Sequence, residues 1–375
     1  MKLMKLPYVA LKEVLDHLTL NSIFFLSLCS KRTKNFIKQT QKYQLEKIEH
    51  LIYSIDNRML HINVKMSYKD FYTGVLAMYQ TEADFVRLSV REASDSIEAV
   101  QGNGLGITID FFRSPNHPYD QNLLVKYGSG DLESIFNRIH NHLYDLLGNH
   151  IKIYVRSYQQ TDFLPPLPNI HVLEVRGDEY NSTRVEELVA RSTCLEYFSW
   201  TTVTVRNIEL RENSHTFDLD TVLLTAGSSA VRGFMKHFNG RHAFLRGYQT
   251  ILTTADFIQF LNSWISGEKF RNLEVISADI RFERPRILDT GELIGILDPI
   301  AEIHGSVEFK RFNKEVVYSI REFKELRLRI PREFRSHWYI VRKSDGHVAS
   351  VMLTRWKLFL GVWNMTEKEF VEKFQ

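Results

Sequence analysis

The sequence predicts an α/β protein: three short helices at the N-terminus, then strands and helices that alternate as in a solenoid, with β-hairpins added. Three observations carry this. Apolar residues recur at helical spacing through the first forty or so residues. A strand pattern of Leu-Glu-apolar returns in NIHVLEVRG, STCLEYFSW and FRNLEVISA. Turn pairs divide alternating runs near both ends of the chain.

The first helix follows Pro7, which suits a helix start. In LKEVLDHL, Leu11, Val14, Leu15 and Leu18 fall at i, i+3, i+4 and i+7 and share one stripe. SIFFLSLC forms the second helix, with Asn21 or Ser22 as candidate cap. The basic segment SKRTKNFIKQTQKYQLEKI forms the third, with Ser30 as its cap. Residues 46–128 read as strands and turns. HLIYSIDNRMLHINVKM gives two strands about Asp56 and Asn57, and FVRLSV and LGITIDFF are further strands.

From residue 129 helices and strands alternate. LESIFNRIHNHLYDLLG aligns Leu132, Ile135, Phe136, Ile139, Leu143, Leu146 and Leu147, with Asp131 before it and Gly148 after. In TTADFIQFLNSWISG, Thr253 and Asp256 have capping-box spacing and Gly267 stops the helix. STRVEELVARS places Thr183 and Glu186 at the same spacing. In the three Leu-Glu strands, Leu173, Leu195 and Leu273 with Val175, Tyr197 and Val275 are expected inside, and the glutamates between them outside. Repetition at about 20 to 30 residues predicts a leucine-rich-repeat-like α/β solenoid. Glu174, Arg176, Glu196 and Glu274 are then the candidate contacts for a protein substrate. HWYIVRKSDGHVASVML reads as a hairpin about Ser344-Asp345-Gly346, and KLFLGVW as one more strand.

Composition excludes several function classes. Of 375 residues, 44% are hydrophobic and 25% charged, as in an ordinary folded protein. The first helix contains Lys12, Glu13, Asp16 and His17, unlike a secretion signal. No window holds the ~18 uninterrupted apolar residues of a membrane span. Cys29 and Cys194 make neither a disulfide framework nor a metal-ligand spacing, which suits the cytoplasm or nucleus.

Gly102, Gly104 and Gly106 lead into Ile107, Thr108 and Ile109, so they read as a turn rather than a phosphate loop. Ser344, Asp345 and His347 are explained by the hairpin. His140 and His142, at i and i+2, point different ways on a helix, and with His150 they form no metal set. No cofactor is expected. Residues 310–343 hold eleven Lys or Arg against four Glu, interleaved with Phe312, Tyr318, Phe323 and Trp338. Alternation sends many of these aromatics inward, so a solvated basic face or an acidic protein partner is favoured over nucleic acid.

A segment so short cannot bury all the large apolar side chains of the N-terminal helices by itself. LPYVALKEVLDHLTLNSIFFLSLCSKRTKNFI resembles an F-box. The resemblance implies a Skp-type adaptor and a cullin complex as partners, and a non-catalytic role in holding a protein substrate for a ubiquitin ligase. It makes Leu6 and Pro7 the opening contact, Leu11, Val14, Leu15 and Leu18 the first-helix anchors, and Leu26, Leu28, Cys29 and Ser30 the end of the docking surface. Thr19 and Leu20 stand where many F-boxes have an acidic residue and a proline, and Thr33 where many have tryptophan. A ligase-independent scaffold is the alternative. LTTADFIQFLNSWISG, FRNLEVISA and WYIVRKSDGHVASVMLTRWKLFLGVW are similar to the type-two F-box-associated domain of large nematode families. The expected division is 1–45 F-box, 46–128 strand-rich link, and 129–375 substrate recognition.

Overall fold

The computed structural model describes residues 5–56, 59–66, 72–80, 100–101, 110–113, 123–127, 132–158, 167, 169–177, 182–202, 210–247, 251–279, 281–282, 303, 305–320, 333–354 and 357–374. The strand expected at 85–90, the glycine turn at 102–109, Asn57, Asp131 and Phe323 lie outside these residues. The chain divides into two compact units, Met1–Leu173 with Ser192–Cys194, and Glu174–Arg191 with Leu195–Gln375.

The first unit begins with helices α1 (Tyr8–Asp16), α2 (Leu20–Cys29), α3 (Lys31–Thr40) and α4 (Lys42–Leu45). Two caps explain the first two breaks. Ser30 Oγ accepts from the Thr33 amide at 3.1 Å, as expected. Helix α2 is capped by Thr19, whose hydroxyl accepts from the Ser22 amide at 3.4 Å, and not by Asn21 or Ser22; the helix starts at Leu20. Strands β1 (Ile48–Asp56) and β2 (Met59–Met66) form the expected hairpin, with Asp56 opposite Met59. Beyond β2 come β3 (Tyr72–Gln80), β4 (Val100–Gln101), β5 (Asp110–Arg113) and β6 (Leu123–Tyr127), in spatial order β2-β3-β6-β5-β4. Helix α5 (Leu132–Leu147) leads to β7 (Lys152–Tyr158), which pairs parallel to β1. Phe136, Ile139, Leu143, Leu146 and Leu147 are all buried, and Gly148 ends the helix at φ 97°.

Strand β8 (Ile170–Arg176) contains the boundary, so the second unit starts inside it. The second unit continues with α6 (Ser182–Arg191), β9 (Tyr197–Thr201), β10 (Thr221–Ala226), α7 (Ser228–His237), β11 (His242–Gly247), β12 (Ile251–Leu252), α8 (Thr254–Ser266), β13 (Val275–Asp279) and β14 (Arg281–Phe282). β9, β10, β11 and β13 pair in parallel and in chain order. Helix α7 returns the chain between β10 and β11 and α8 between β11 and β13, as a parallel connection requires, while a 3-10 turn at His215–Asp218 precedes β10. Helix α8 has the expected capping box at Thr253 and Asp256 and ends on Gly267 in the left-handed region. Helix α6 starts at Ser182, so Thr183 is inside its first turn rather than its cap.

The remaining strands are β15 (Lys310–Ser319), β16 (Glu333–Val341), β17 (His347–Leu353) and β18 (Lys357–Thr366), followed by α9 (Glu367–Phe374). All their pairings are antiparallel, and β18 joins β13. β16 and β17 are the expected hairpin, with Gly346 at φ 75°. Its loop is tied down by Arg342, only 5% exposed, whose guanidinium donates to both carboxylate oxygens of Asp345 at 2.9 and 2.8 Å and to the Arg271 carbonyl at 3.1 Å. The same group lies over the Trp264 ring, 5.2 Å from its centre. Arg342→Ala is expected to cost the second unit about 3 kcal/mol. Chemical denaturation followed by tryptophan fluorescence measures it; an unchanged midpoint would show that the clamp contributes nothing.

Burial corrects one strand expectation. Glu174 is buried, not outward, because both faces of β8 are covered around Leu173, Glu174 and Val175. Two-sided cover removes the in-out alternation on which the expectation rested.

Candidate docking surface

Helix α1 turns Leu11 and Leu15 inward, where they are 3% and 1% exposed. α3 packs beside it: the Tyr8 and Phe36 rings meet edge to face at 5.9 Å, and Gln41 Nε2 donates to Asp16 Oδ1 at 2.6 Å. These contacts cover one side of α1 and leave the other to solvent. Val9 is 77% exposed, Tyr8 61% and Val14 38%, and Pro7 and Ala10 are exposed too. Pro7, Ala10 and Val14 are three and four residues apart and so line up along one edge. An apolar patch of this kind at the start of a helix suits capture by another protein's groove.

The structure separates the ten residues expected on this surface. Pro7, Val14, Cys29 and Ser30 are exposed; Leu6, Leu18 and Leu26 are half-buried. Leu11, Leu15 and Leu28 lie in the chain's own core, which corrects the expectation that they stand open to a partner. The i, i+3, i+4, i+7 pattern finds the helix face that is buried, and it does not say by what. Tyr8, Val9 and Ala10 were missed; their signal was that three apolar or small residues stand off the stripe at the helix start.

The N-terminal helices are not a loose appendage of the first unit. α2 packs against β3, and α3 against α5. Lys34 and Lys38 of α3 both bind Asp145 of α5, at 2.5 and 2.7 Å, and their bonds hold its carboxyl down to about 2. Ser27 Oγ donates to the Phe24 carbonyl at 2.5 Å, so toward His142 it acts as acceptor, and His142 Nε2 donates to it across 2.7 Å. On the same helix His140 Nδ1 is hydrogen-bonded to the Tyr53 hydroxyl at 2.7 Å. The two histidines thus point to different partners, as their spacing requires, and both are buried, while His150 is exposed. Among the described residues no group of His, Cys, Asp and Glu could hold a metal ion.

The four candidates for substrate contact are dispersed in the second unit. Arg176 and Glu196 are exposed. Glu174 is buried, 3.7 Å from Arg176. Glu274 accepts from Arg241 and, at 3.1 Å, from His242 Nε2, whose Nδ1 accepts from the Thr221 hydroxyl at 3.0 Å. Burial pushes the Glu274 carboxyl up, yet the bonds to Arg241 and His242 outweigh it and the net shift is downward. In the basic stretch, Lys310 pairs with Glu367, Arg335 with Glu315 and Glu333, and Arg342 with Asp345, while Phe312 and Tyr318 are buried.

The family model for the F-box domain matches residues 3–45. Those residues are an F-box domain. F-box domains in general bind Skp-type adaptors within cullin complexes and serve ubiquitin ligases as substrate adaptors, typically without catalysis of their own. No curated protein and no solved structure matches the chain. No helix among the described residues is long and apolar enough to cross a membrane.

Proposed function

We infer that the protein is the substrate-recognition subunit of a Skp-cullin-F-box ubiquitin ligase, its F-box taking the adaptor and its C-terminal part a protein substrate. The observation that carries this is the exposed apolar start of α1 within a matched F-box domain whose other helices are folded against their own unit. Pro7, Tyr8, Val9, Ala10 and Val14 make direct contact, with Leu6, Leu18, Leu26, Cys29 and Ser30 at the margins. Leu11, Leu15 and Leu28 act from beneath by fixing the helices. The subunit performs no bond chemistry: holding a substrate beside a charged conjugating enzyme raises the local concentration of its lysines. The two free cysteines suit the reducing cytoplasm or nucleus.

The part from 129 onward is read as a leucine-rich-repeat-like platform of the type-two F-box-associated kind. Consecutive parallel pairing of β9, β10, β11 and β13 supports it, since stacked strand-helix units pair in chain order. Arg176, Glu196 and Glu274 are its substrate contacts, and Glu174 positions Arg176.

Co-purification with a purified Skp-type adaptor tests the reading. Val14→Asp, which puts a carboxylate into a desolvated groove without touching the chain's core, is expected to weaken binding about a hundredfold. Leu15→Asp would instead disrupt the F-box itself. Failure of the wild-type chain to bind any such adaptor, or an unchanged affinity for the Val14 variant, defeats the proposal. Thr33, buried at 7% where many F-boxes carry tryptophan, favours the second reading of a scaffold outside a ligase. A cullin in the purified complex decides against that reading.

A further inference from the structure

We propose that the partner of α1 presents an apolar groove rimmed with carboxylates, and that Lys5, Lys31 and Arg32 steer it into place. This deepens the reading above and rests on it.

Most cations of the F-box are already engaged. Lys34 and Lys38 share Asp145, Lys12 lies 3.8 Å from Asp16, and Lys42 lies 3.8 Å from Glu46. Lys5, Lys31 and Arg32 are exposed and have no carboxylate partner among the described residues. Their positions are specific. Arg32 is one helical turn before Phe36, the residue whose ring packs against Tyr8, so it stands beside the exposed start of α1. Lys5 stands three residues before Tyr8.

Local stability does not account for the pair on α3. Lys31 and Arg32 open that helix, whose first turn contains no acidic residue. A helix N-terminus carries partial positive charge and disfavours cations. The cations therefore work against their own helix and are matched by nothing within the described chain. The carboxylates of α1 sit away from this end: Asp16 closes the helix and is bound by Gln41, and Glu13 lies 3.2 Å from His17. The patch is thus apolar at its centre and positive at its edge. An acidic rim around an apolar groove is the complement of that arrangement; a bare polyanion would leave Pro7, Val9 and Val14 uncovered.

The test uses the full chain, a purified Skp-type adaptor, and the triple variant Lys5→Glu, Lys31→Glu, Arg32→Glu. All three side chains are exposed and glutamate suits the start of α3, so the variant is expected to melt no lower than the wild type. Association at low ionic strength should slow about tenfold or more while dissociation changes by less than about threefold. Added salt should slow the wild type and leave the variant almost unaffected. If the adaptor binds both chains with equal association rates and equal salt profiles, the steering proposal is overturned and the docking reading stands. If the wild type does not bind the adaptor, both fall. Loss of binding to double-stranded DNA or phosphatidylserine vesicles in the variant, with adaptor kinetics unchanged, would assign the cations to a polyanion and likewise overturn the proposal.

Discussion

The first unit is expected to lose stability in acid well before its carboxylates are protonated, because α5 is joined to the F-box through His142 and to β1 through His140, imidazoles that fold only in neutral form. Burial lowers both His140 and His142 from 6.5 to about 4, and for His142 the nearby Lys34 adds to the effect against a smaller opposing pull from Asp145. The groups facing His142 are Ser27 and Phe24 from α2, Lys34 from α3, and Asp145 on its own helix. Those facing His140 are Tyr53 from β1, with Phe136 and Tyr144 stacked on the ring. Protonating His140 would bury a cation among Tyr53, Phe136 and Tyr144. Protonating His142 would bury a cation beside Lys34.

The sign follows from linkage. The folded-state values lie below the unfolded ones, so between 6.5 and about 4 the unfolded chain takes up protons that the folded chain refuses. The stabilisation is fully present above 6.5 and is lost as pH falls through about 4. Its size is about 3 kcal/mol for each imidazole. All five tryptophans lie in the second unit, so their fluorescence reports that unit alone, and amide exchange in α2 and α5 reports the first. Exchange in α2 and α5 should accelerate by about pH 5. His142→Gln keeps a donor for Ser27 and removes one proton-binding site, so it should flatten the slope by about half. Protection of α2 that is the same at neutral pH and at pH about 4 would refute the account.

Gly361→Val is expected to unfold the second unit's β-sheet, or to cost it about 3 kcal/mol or more. Gly361 is in β18, opposite Val275 of β13 and Ser350 of β17. The Tyr318 ring of β15 lies on it so closely that an added Cβ would meet three ring carbons at 2.6 to 2.7 Å. The ring cannot back away cheaply: its hydroxyl donates to the carbonyls of Glu274 and Val362 at 3.2 and 3.1 Å, and Trp363 closes in edge-on at 4.9 Å. β15 and β18 are three strands apart in the pairing order, so Tyr318 can reach Gly361 only if the sheet curls over it. A bulge between Arg311 and Val316 supplies a local bend in β15. Tyr318→Phe with Gly361 intact should cost only about 1 kcal/mol, the worth of the hydroxyl bonds. Equal denaturation midpoints for wild type and Gly361→Val would mean that the contact is not made.

Much was legible because it depends on neighbours in sequence. Gly148, Gly267 and Gly346 each stand where a positive φ is needed, and steric freedom at that φ belongs to the residue itself. The Thr253 and Asp256 box, the Ser30 cap and the two hairpins likewise involve groups a few residues apart. The F-box motif was readable for the same reason, all of it lying in one short segment.

What needed the fold was the fate of each apolar and charged side chain. Periodicity gave Leu11, Val14, Leu15 and Leu18 one stripe, and only tertiary packing decided that Leu11 and Leu15 go inside while Val14 stays out. Glu174 sits in a sequence that reads as half-buried, and cover on the second face of β8 made it internal. His142 and Asp145, distant in sequence from Ser27, Lys34 and Lys38, became their partners through contacts no local pattern encodes. Local conformation is set by bonds and sterics within a few residues, which the sequence carries directly. Burial and pairing depend on which distant surface arrives opposite, and that is settled only when the whole chain has packed.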